Sequence, residues 1–176
     1  MSLAAFNQMH GAALATALER CCGASRWVAA MVAAHPFASV AAVHQSSDEI
    51  WSAMGEPDYR EAFSHHPMIG DLAALRERFA DTAAWAGQEQ SGSQQADEAT
   101  LLALQQGNHD YLAKFGHIFI VCATGKSAAE MLALLQQRLP NDAATELATA
   151  AAEQNKITHL RLDKMLGLAS GPESSL

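Results

Sequence analysis

Helix-forming sequence runs through almost the whole chain, and this feature restricts the fold more than any other. Residues 96–115 and 142–166 are long amphipathic segments, and in the first of them Leu101, Leu104 and Tyr111 mark an apolar stripe at helical spacing. Alanine is abundant while aromatic residues make up only 6% of the 176 residues. Because alanine loses little side-chain entropy in a helix, the sequence predicts an all-α fold. We expect a single-domain compact helical bundle of roughly seven to nine helices.

Local signals set the expected helix boundaries. Ser25 is a candidate N-cap, Ser127 and Glu130 have the spacing of a capping box, and Gly116 is a candidate C-terminal stop. The polar stretch 87–95 is predicted to be a loop or a helix boundary. Helices are expected over residues 13–22, 25–34, 39–54, 57–64, 72–80, 96–115, 127–139 and 142–166. Residues 1–168 are predicted to form the domain, and residues 169–176 a flexible tail.

One stretch has the composition of a β-strand. Residues 117–123, HIFIVCA, form a continuous apolar run that is rich in β-branched and aromatic residues. No second strand is predicted to pair with it, and an isolated strand cannot satisfy its backbone. We therefore expect either a buried extended segment or a helix continuation.

Charge and cysteine content limit the classes of partner and the compartment. The formal net charge is -8, from 11 Lys+Arg against 19 Asp+Glu. Without a basic stripe, nucleic acid is not an expected partner, and no apolar run approaches the roughly 18 residues that would cross a membrane. The three cysteines, Cys21, Cys22 and Cys122, do not form a disulfide framework. Together with a start that lacks a charged signal-peptide region, they predict a cytoplasmic protein.

Three kinds of site are disfavoured by spacing. The TGKS turn at 124–127 resembles the end of a P-loop, but Ile120 stands where that motif needs a glycine. None of the eight histidines forms an H-x-x-x-H pair, and the adjacent His65 and His66 would point about 100° apart on a helix. No metal site is therefore predicted. Cys122 lies in an apolar run, where a thiol tends to stay protonated and unreactive.

The break SHHPMIGD, at 64–71, favours proton transfer instead. Pro67 biases His66 away from helical backbone angles, which places this imidazole at the end of a helix. Glu89 follows in a polar loop, after the short helix expected over 72–80, which would span about 14 Å. A return turn could bring Glu89 beside His66, and such a pair can exchange protons near neutral pH. The alternative is a capping histidine and a solvated loop glutamate.

Four motifs together resemble a known enzyme family. In chain order they are HHPMIGD, WAGQEQ, NHDYLAKFGHIFIVCATGKS and RLPNDAATELATAAAEQNKITHLRL, within a similarity that runs from about residue 6 to 166. They are similar to the 2-oxo-4-hydroxy-4-carboxy-5-ureidoimidazoline (OHCU) decarboxylases, which act last in the conversion of urate to (S)-allantoin. The most specific part is the block from Tyr111 to Ser127 followed by Arg138-Leu139. The resemblance implies an all-helical homodimeric lyase with a small-molecule substrate, no cofactor and no metal.

The resemblance also assigns roles to individual residues. It implies that His66 and Glu89 are catalytic. It implies substrate binding by Pro67, Gln90 and Arg161, and by the pocket-lining segment Phe119, Ile120, Val121, Cys122 and Ala123. Three positions depart from the family pattern: Met68 stands where arginine is common, Ala86 replaces a serine, and His117-Ile118 replaces an aromatic-proline pair.

Two other classes of function remain open at this point. One is a different cofactor-free acid-base enzyme that uses the same His/Glu pair, and an assay with OHCU against allantoin alone would separate it. The other is a non-catalytic helical binding module, in which His66 and Glu89 would point apart.

Overall fold

The computed structural model describes residues 1–67, 72–85 and 91–168, and these ranges contain nine helices and no strand. The all-α prediction is confirmed. Met68, Ala86, Glu89, Gln90 and the tail predicted at 169–176 lie outside the described residues. The helices are α1 Leu3–Phe6, α2 Gly11–Glu19, α3 Ser25–Ala34, α4 Val40–Ser52, α5 Glu56–Ser64, α6 Leu72–Trp85, α7 Ser91–Phe115, α8 Ala128–Arg138 and α9 Ala143–Met165.

Most predicted helices occur, but two are longer than expected. α3 begins and ends where the sequence places it, whereas α6 has 14 residues and continues past the predicted end at residue 80. α7 begins at Ser91 and has 25 residues, so a helix boundary lies within the stretch 87–95, as one of the two expected alternatives has it, and residues 91–95 are helical. The glutamines in this stretch are good helix formers, and a single glycine lowers helix stability by only about 1 kcal/mol.

The helix ends show which capping signals were correct. The Ser127 hydroxyl accepts from the Glu130 amide at 3.3 Å, and the Glu130 carboxylate accepts from the Ser127 amide at 2.7 Å, so the capping box is confirmed. Gly116 has φ 69°, as expected after a helix end. Ser25 is not the N-cap, because α3 already begins there and Ala24 is the cap residue. The amide and hydroxyl of Ser25 donate instead to the Glu61 carboxylate, each at 3.0 Å.

Contacts divide the chain into two compact units. The first comprises Met1–His65 and the chain from Ala151 onward. Its buried side chains include Phe6, Leu18, Trp27, Met31 and Leu162. Within this unit the Trp51 indole donates to the carbonyl of Ala151 at 3.0 Å, which fixes α4 against the second half of α9.

The second unit comprises His66–Ala150 and has its own core. One cluster of buried apolar residues in this core comes from α6, α7 and α8: Leu75, Phe79, Leu101, Leu104, Met131 and Leu135. Arg76 on α6 pairs with Glu98 on α7 at the surface of this unit. The unit thereby brings three helices against the segment between α7 and α8.

Candidate active site

His66 lies directly after the end of α5. This helix ends at Ser64, and its C-cap His65 has φ -82° and ψ -2°. His66 and Pro67 follow outside the helix, and His66 is half-buried. The predicted helix end before Pro67 is confirmed, and its cause is the steric restriction that proline places on the preceding residue.

His65 has different surroundings from its neighbour. Its ring packs so closely on Gly23 that a Cβ atom built at Gly23 would lie 2.3 Å from the His65 Cγ. A glycine is therefore needed opposite this ring. His65 is an exposed residue whose ring contacts Gly23, and this contact distinguishes its surroundings from those of His66.

The segment between α7 and α8 is neither helix nor strand, so its continuation as a helix is ruled out. Ile120 is 2% exposed. Phe119, Val121 and Ala123 all pack against the core of the second unit. In an extended backbone, every second side chain points to the same side. The expectation of a buried extended segment is therefore confirmed.

Side chains satisfy carbonyl groups of this segment that a partner strand would otherwise bind. Arg138 Nη1 donates to the carbonyl of Ile120 at 2.8 Å. Lys126 Nζ donates to the carbonyl of Cys122, also at 2.8 Å. The His117 ring nitrogen Nδ1 lies 3.0 Å from the carbonyl of Ile118. Buried backbone groups need such partners, and these bonds explain how the segment stays extended without a sheet.

Arg138 links this segment to a buried charged network. Its guanidinium lies 4.7 Å from the Phe119 ring centre, and its Nε donates to Glu146 at 2.8 Å. Glu146 is 0% exposed and also accepts from Tyr111 and from Asn141. Burial, together with the hydrogen bond to Glu146, raises the pKa of Tyr111 above its usual range. The paired charges fix Arg138, and Arg138 in turn holds the Phe119 ring and the Ile120 carbonyl.

Arg161 lies on α9 in the first unit and is half-buried. Its Nη1 makes a long hydrogen bond of 3.5 Å to the carbonyl of Arg20. Over the ranges that the structure describes, Arg161 forms no ion pair with a carboxylate. Its remaining donors are thus not committed to a described acid, which suits a group that is to bind an anion.

Two cysteines near Arg161 are unreactive by burial. Desolvation raises the pKa of Cys21 to about 12 and that of Cys22 to about 11, although the Arg161 charge acts in the opposite direction on both. Cys122 is half-buried in the segment between α7 and α8.

The described part of the chain contains no group of three or more His, Cys, Asp or Glu side chains that could hold a metal ion. Nor does any helix in those ranges have the length and apolarity to cross a membrane.

The expected partner of His66 lies outside the described residues, and so does Gln90. The helix between the two residues is longer than expected. α6 has 14 residues rather than the nine expected over 72–80, so the helix spans about 21 Å and not about 14 Å. The pairing of His66 with Glu89 stays a prediction.

Sequence reasoning missed Arg138, Glu146 and Tyr111 as a functional group. The signal in the sequence was a pair of opposite charges, Arg138 and Glu146, in helices whose other residues pack on a core. Charged residues of this kind are seldom buried unless they are paired. The family-like motifs include all three residues, but their similarity to a family did not indicate that the three side chains are bonded to one another.

Comparison with known proteins gives a consistent family signal. The sequence profile of the family described as OHCU decarboxylase matches residues 7–163. The chain is similar to the uric acid degradation bifunctional protein TTL of Arabidopsis thaliana, with 38% identity over 146 residues, covering 82% of this chain and 45% of that protein. It is also similar to the 2-oxo-4-hydroxy-4-carboxy-5-ureidoimidazoline decarboxylase of Mus musculus, with 39% identity over 83 residues, which is 47% of each chain. The chain thus spans about half the length of these two relatives.

A solved structure has the same fold over most of its length. It is a crystal structure of OHCU decarboxylase in the presence of (S)-allantoin, with 33% identity and a TM-score of 0.67. The match covers 85% of this chain and 96% of that one. The helical fold described above is therefore shared with a protein described as OHCU decarboxylase.

Proposed function

The chain belongs to the OHCU decarboxylase family, and from that premise we propose that it converts OHCU to (S)-allantoin in urate degradation. The observation that carries the proposal is the extent of the family match, residues 7–163. That range includes His66, Glu89, the segment 119–123 and Arg161. The similarity to a decarboxylase whose crystals contained (S)-allantoin supports the product.

The substrate itself explains why no electron-accepting cofactor is needed. One ring carbon of OHCU carries both the carboxylate and the hydroxyl, and the neighbouring carbon is double-bonded to a ring nitrogen. When CO₂ leaves, the electron pair of the broken carbon–carbon bond moves into the C=N group and reduces charge on carbon. The hydroxyl then loses its proton to become the carbonyl of allantoin, and the carbon that bears the ureido group gains a proton, while solvent supplies the one further proton that the ring nitrogen takes up. The protein has to orient the carboxylate and place those two protons.

His66 and Glu89 are the residues proposed to handle these protons. An imidazole can accept the hydroxyl proton near neutral pH, since its ordinary pKa is about 6.5. His66 is half-buried and lies outside the helical backbone of α5, which suits this role. Glu89 is assigned the ureido side of the substrate, where it binds that group or manages the proton delivered to carbon.

The other proposed contacts hold the substrate. Arg161 pairs with an anionic group, for which a planar guanidinium is well suited. Gln90 and the backbone of the segment 119–123 bind ring amides, and Pro67 borders the histidine. Arg138 holds this segment in place, because its Nη1 donates to the Ile120 carbonyl at 2.8 Å. Apolar surface at Phe119 and Ile120 favours loss of CO₂, since a partly desolvated carboxylate is a less stable ground state.

The remaining properties implied by the family are part of the same proposal. We infer a homodimer that acts in the cytoplasm on a free small molecule, without a metal or cofactor. Sedimentation of the purified chain would test the dimer, with one species of twice the chain mass of 18.7 kDa as the expected result.

Two adjacent histidines offer a matched test of the site. His66→Gln should lower the rate of OHCU consumption by at least about a hundredfold, the usual scale for a lost general acid-base group. His65→Gln, one residue away, should lower it far less, because His65 packs on Gly23. Equal losses in two folded variants would contradict the assignment of His66. If the wild-type chain did not act on OHCU but processed allantoin alone, the activity itself would be wrong.

A further inference from the structure

Four side chains on α4 and α9 form one continuous hydrogen-bonded chain within the first unit. His44 Nε2 lies 2.9 Å from the Asp163 carboxylate, and His159 Nε2 lies 2.7 Å from the Asp48 carboxylate. The two histidines meet through their Nδ1 atoms, which are 3.0 Å apart. The order along the chain is Asp163, His44, His159, Asp48.

The arrangement is built from the same short pattern on each helix. His44 precedes Asp48 by four residues on α4, and His159 precedes Asp163 by four residues on α9. Residues four apart share one helix face. Each histidine nevertheless bonds the carboxylate of the other helix, so the two faces are joined crosswise. The amide of Asn155 donates a second hydrogen bond to Asp48, at 2.7 Å.

The number of protons follows from the donors and acceptors. An ionised carboxylate can only accept, so both Nε2 atoms must carry a proton. The two Nδ1 atoms can bond each other only if one carries a proton and the other presents its lone pair. The four ring nitrogens therefore hold three protons, which makes one imidazolium and one neutral imidazole. Together with two carboxylates, the four groups have a net charge of -1.

We propose that His44 and His159 share a single proton and form a pH-sensitive clamp between α4 and α9. Loss of this proton would leave two nitrogen lone pairs facing each other at 3.0 Å. Gain of a second proton would place two N–H groups and two positive charges at the same point. Both changes replace an attraction by a repulsion, so the contact is strongest when it holds one proton.

The surroundings support this state. Burial acts to raise the pKa of Asp48, but hydrogen bonds from Asn155 and His159 and the charges of both histidines lower it overall, which keeps the carboxylate ionised. The charged and titratable groups in contact with the pair come from both packed helices, Asp48 from α4 and Asp163 from α9. Side-chain exposure is 20% for His44 and 31% for His159, so water can deliver and remove the proton.

Nuclear magnetic resonance of the histidine-labelled full chain tests the clamp without any substrate. Long-range ¹H–¹⁵N spectra should show both rings protonated at Nε2 and one proton between the two Nδ1 atoms. On a pH titration the pair should gain and lose protons in two coupled steps. In His159→Gln, His44 should titrate in one step, while exposed His109 on α7 should titrate identically in both proteins.

The wild-type spectra alone can overturn the proposal. Independent single-step titrations of His44 and His159, or a ring whose Nε2 is unprotonated beside its carboxylate, would contradict it. Thermal unfolding provides a second measurement. His159→Gln should lower the melting temperature by about 2–4 °C in the pH range where the spectra find one shared proton. A difference that does not vary with pH would also contradict the clamp.

Discussion

Side chains of the same type have different roles in this chain because their surroundings differ. His65 packs against a glycine, His44 and His159 bond each other, and His66 lies beyond the end of the helix that precedes it. The presence of histidines could suggest a proton-transfer site. Only the place of each histidine in the chain could distinguish His66 from the histidines with structural contacts. For His66 the position was readable from sequence, because Pro67 restricts it.

Glu89 can be tested at the scale of the single residue. Glu89→Gln keeps the shape and hydrogen bonding of the side chain but removes the ionisable proton. We expect the rate of OHCU consumption to fall by about a hundredfold or more, with substrate still bound. The allantoin that forms should drift toward a racemic mixture as the uncatalysed reaction takes over.

Glu77→Gln is the matched control, because Glu77 is an exposed acid on α6. It should retain wild-type rate and product handedness. If Glu89→Gln also produced (S)-allantoin at near wild-type speed, Glu89 would be a binding contact, and the proton would have to come from His66 or from water.

At the scale of elements, the extended segment between α7 and α8 is held by side chains from its own unit. The strand-like segment 117–123 was difficult to place in an all-helical fold, because no second strand could donate hydrogen bonds to its carbonyls. Arg138 and Lys126 supply two of these, for Ile120 and Cys122. An all-α chain can thereby contain a short extended run whose carbonyls are bound by side chains and not by a partner strand.

Replacing Arg138 should destabilise this element strongly. Arg138→Met removes one member of a buried ion pair and leaves Glu146, which is 0% exposed, with the hydrogen bonds from Tyr111 and Asn141 but without its positive partner. Such changes typically lower the free energy of unfolding by about 3–5 kcal/mol, measurable by urea denaturation. Arg60→Met removes an arginine from the exposed pair with Glu56 and should change it by only about 0.5 kcal/mol. Similar effects of the two substitutions would show that the buried network does not hold the segment.

The helices illustrate what sequence could and could not predict. α3 and α8 follow from local signals, namely apolar spacing and a capping box, and they occur within a residue or two of the expected bounds. The long α6 and the early start of α7 did not follow, because propensity is a weak prior that tertiary packing overrides. The burial of Arg138 beside Glu146 also depends on how α8 and α9 pack, which no local pattern encodes.

At the scale of the whole molecule, the proposed chemistry needs only the chain and its substrate. The substrate ring accepts the electrons released with CO₂, so the protein has to supply orientation and protons. The chain matches about half the length of the bifunctional plant relative and nearly all of one solved decarboxylase. An assay of this chain alone is therefore the appropriate test of whether these residues suffice.

Chelation tests the proposed independence from metal. Prolonged dialysis against a strong chelator should leave the rate of OHCU consumption unchanged, because none of the proposed steps passes through a metal ion. The measurement is activity before and after dialysis, with the metal content of both samples determined. Activity that disappears with the metal and returns with an added divalent ion would contradict the cofactor-independent mechanism.

The most direct test of the central claim is a circular dichroism time course with freshly generated OHCU. It reports the rate of substrate loss and the handedness of the product together. Water can protonate the planar carbon left by spontaneous decarboxylation on either face, so the uncatalysed product is racemic. With the wild-type chain we predict accelerated loss of OHCU and a lasting signal of (S)-allantoin. Decay at the uncatalysed rate to a product without a dichroic signal would contradict the assigned activity.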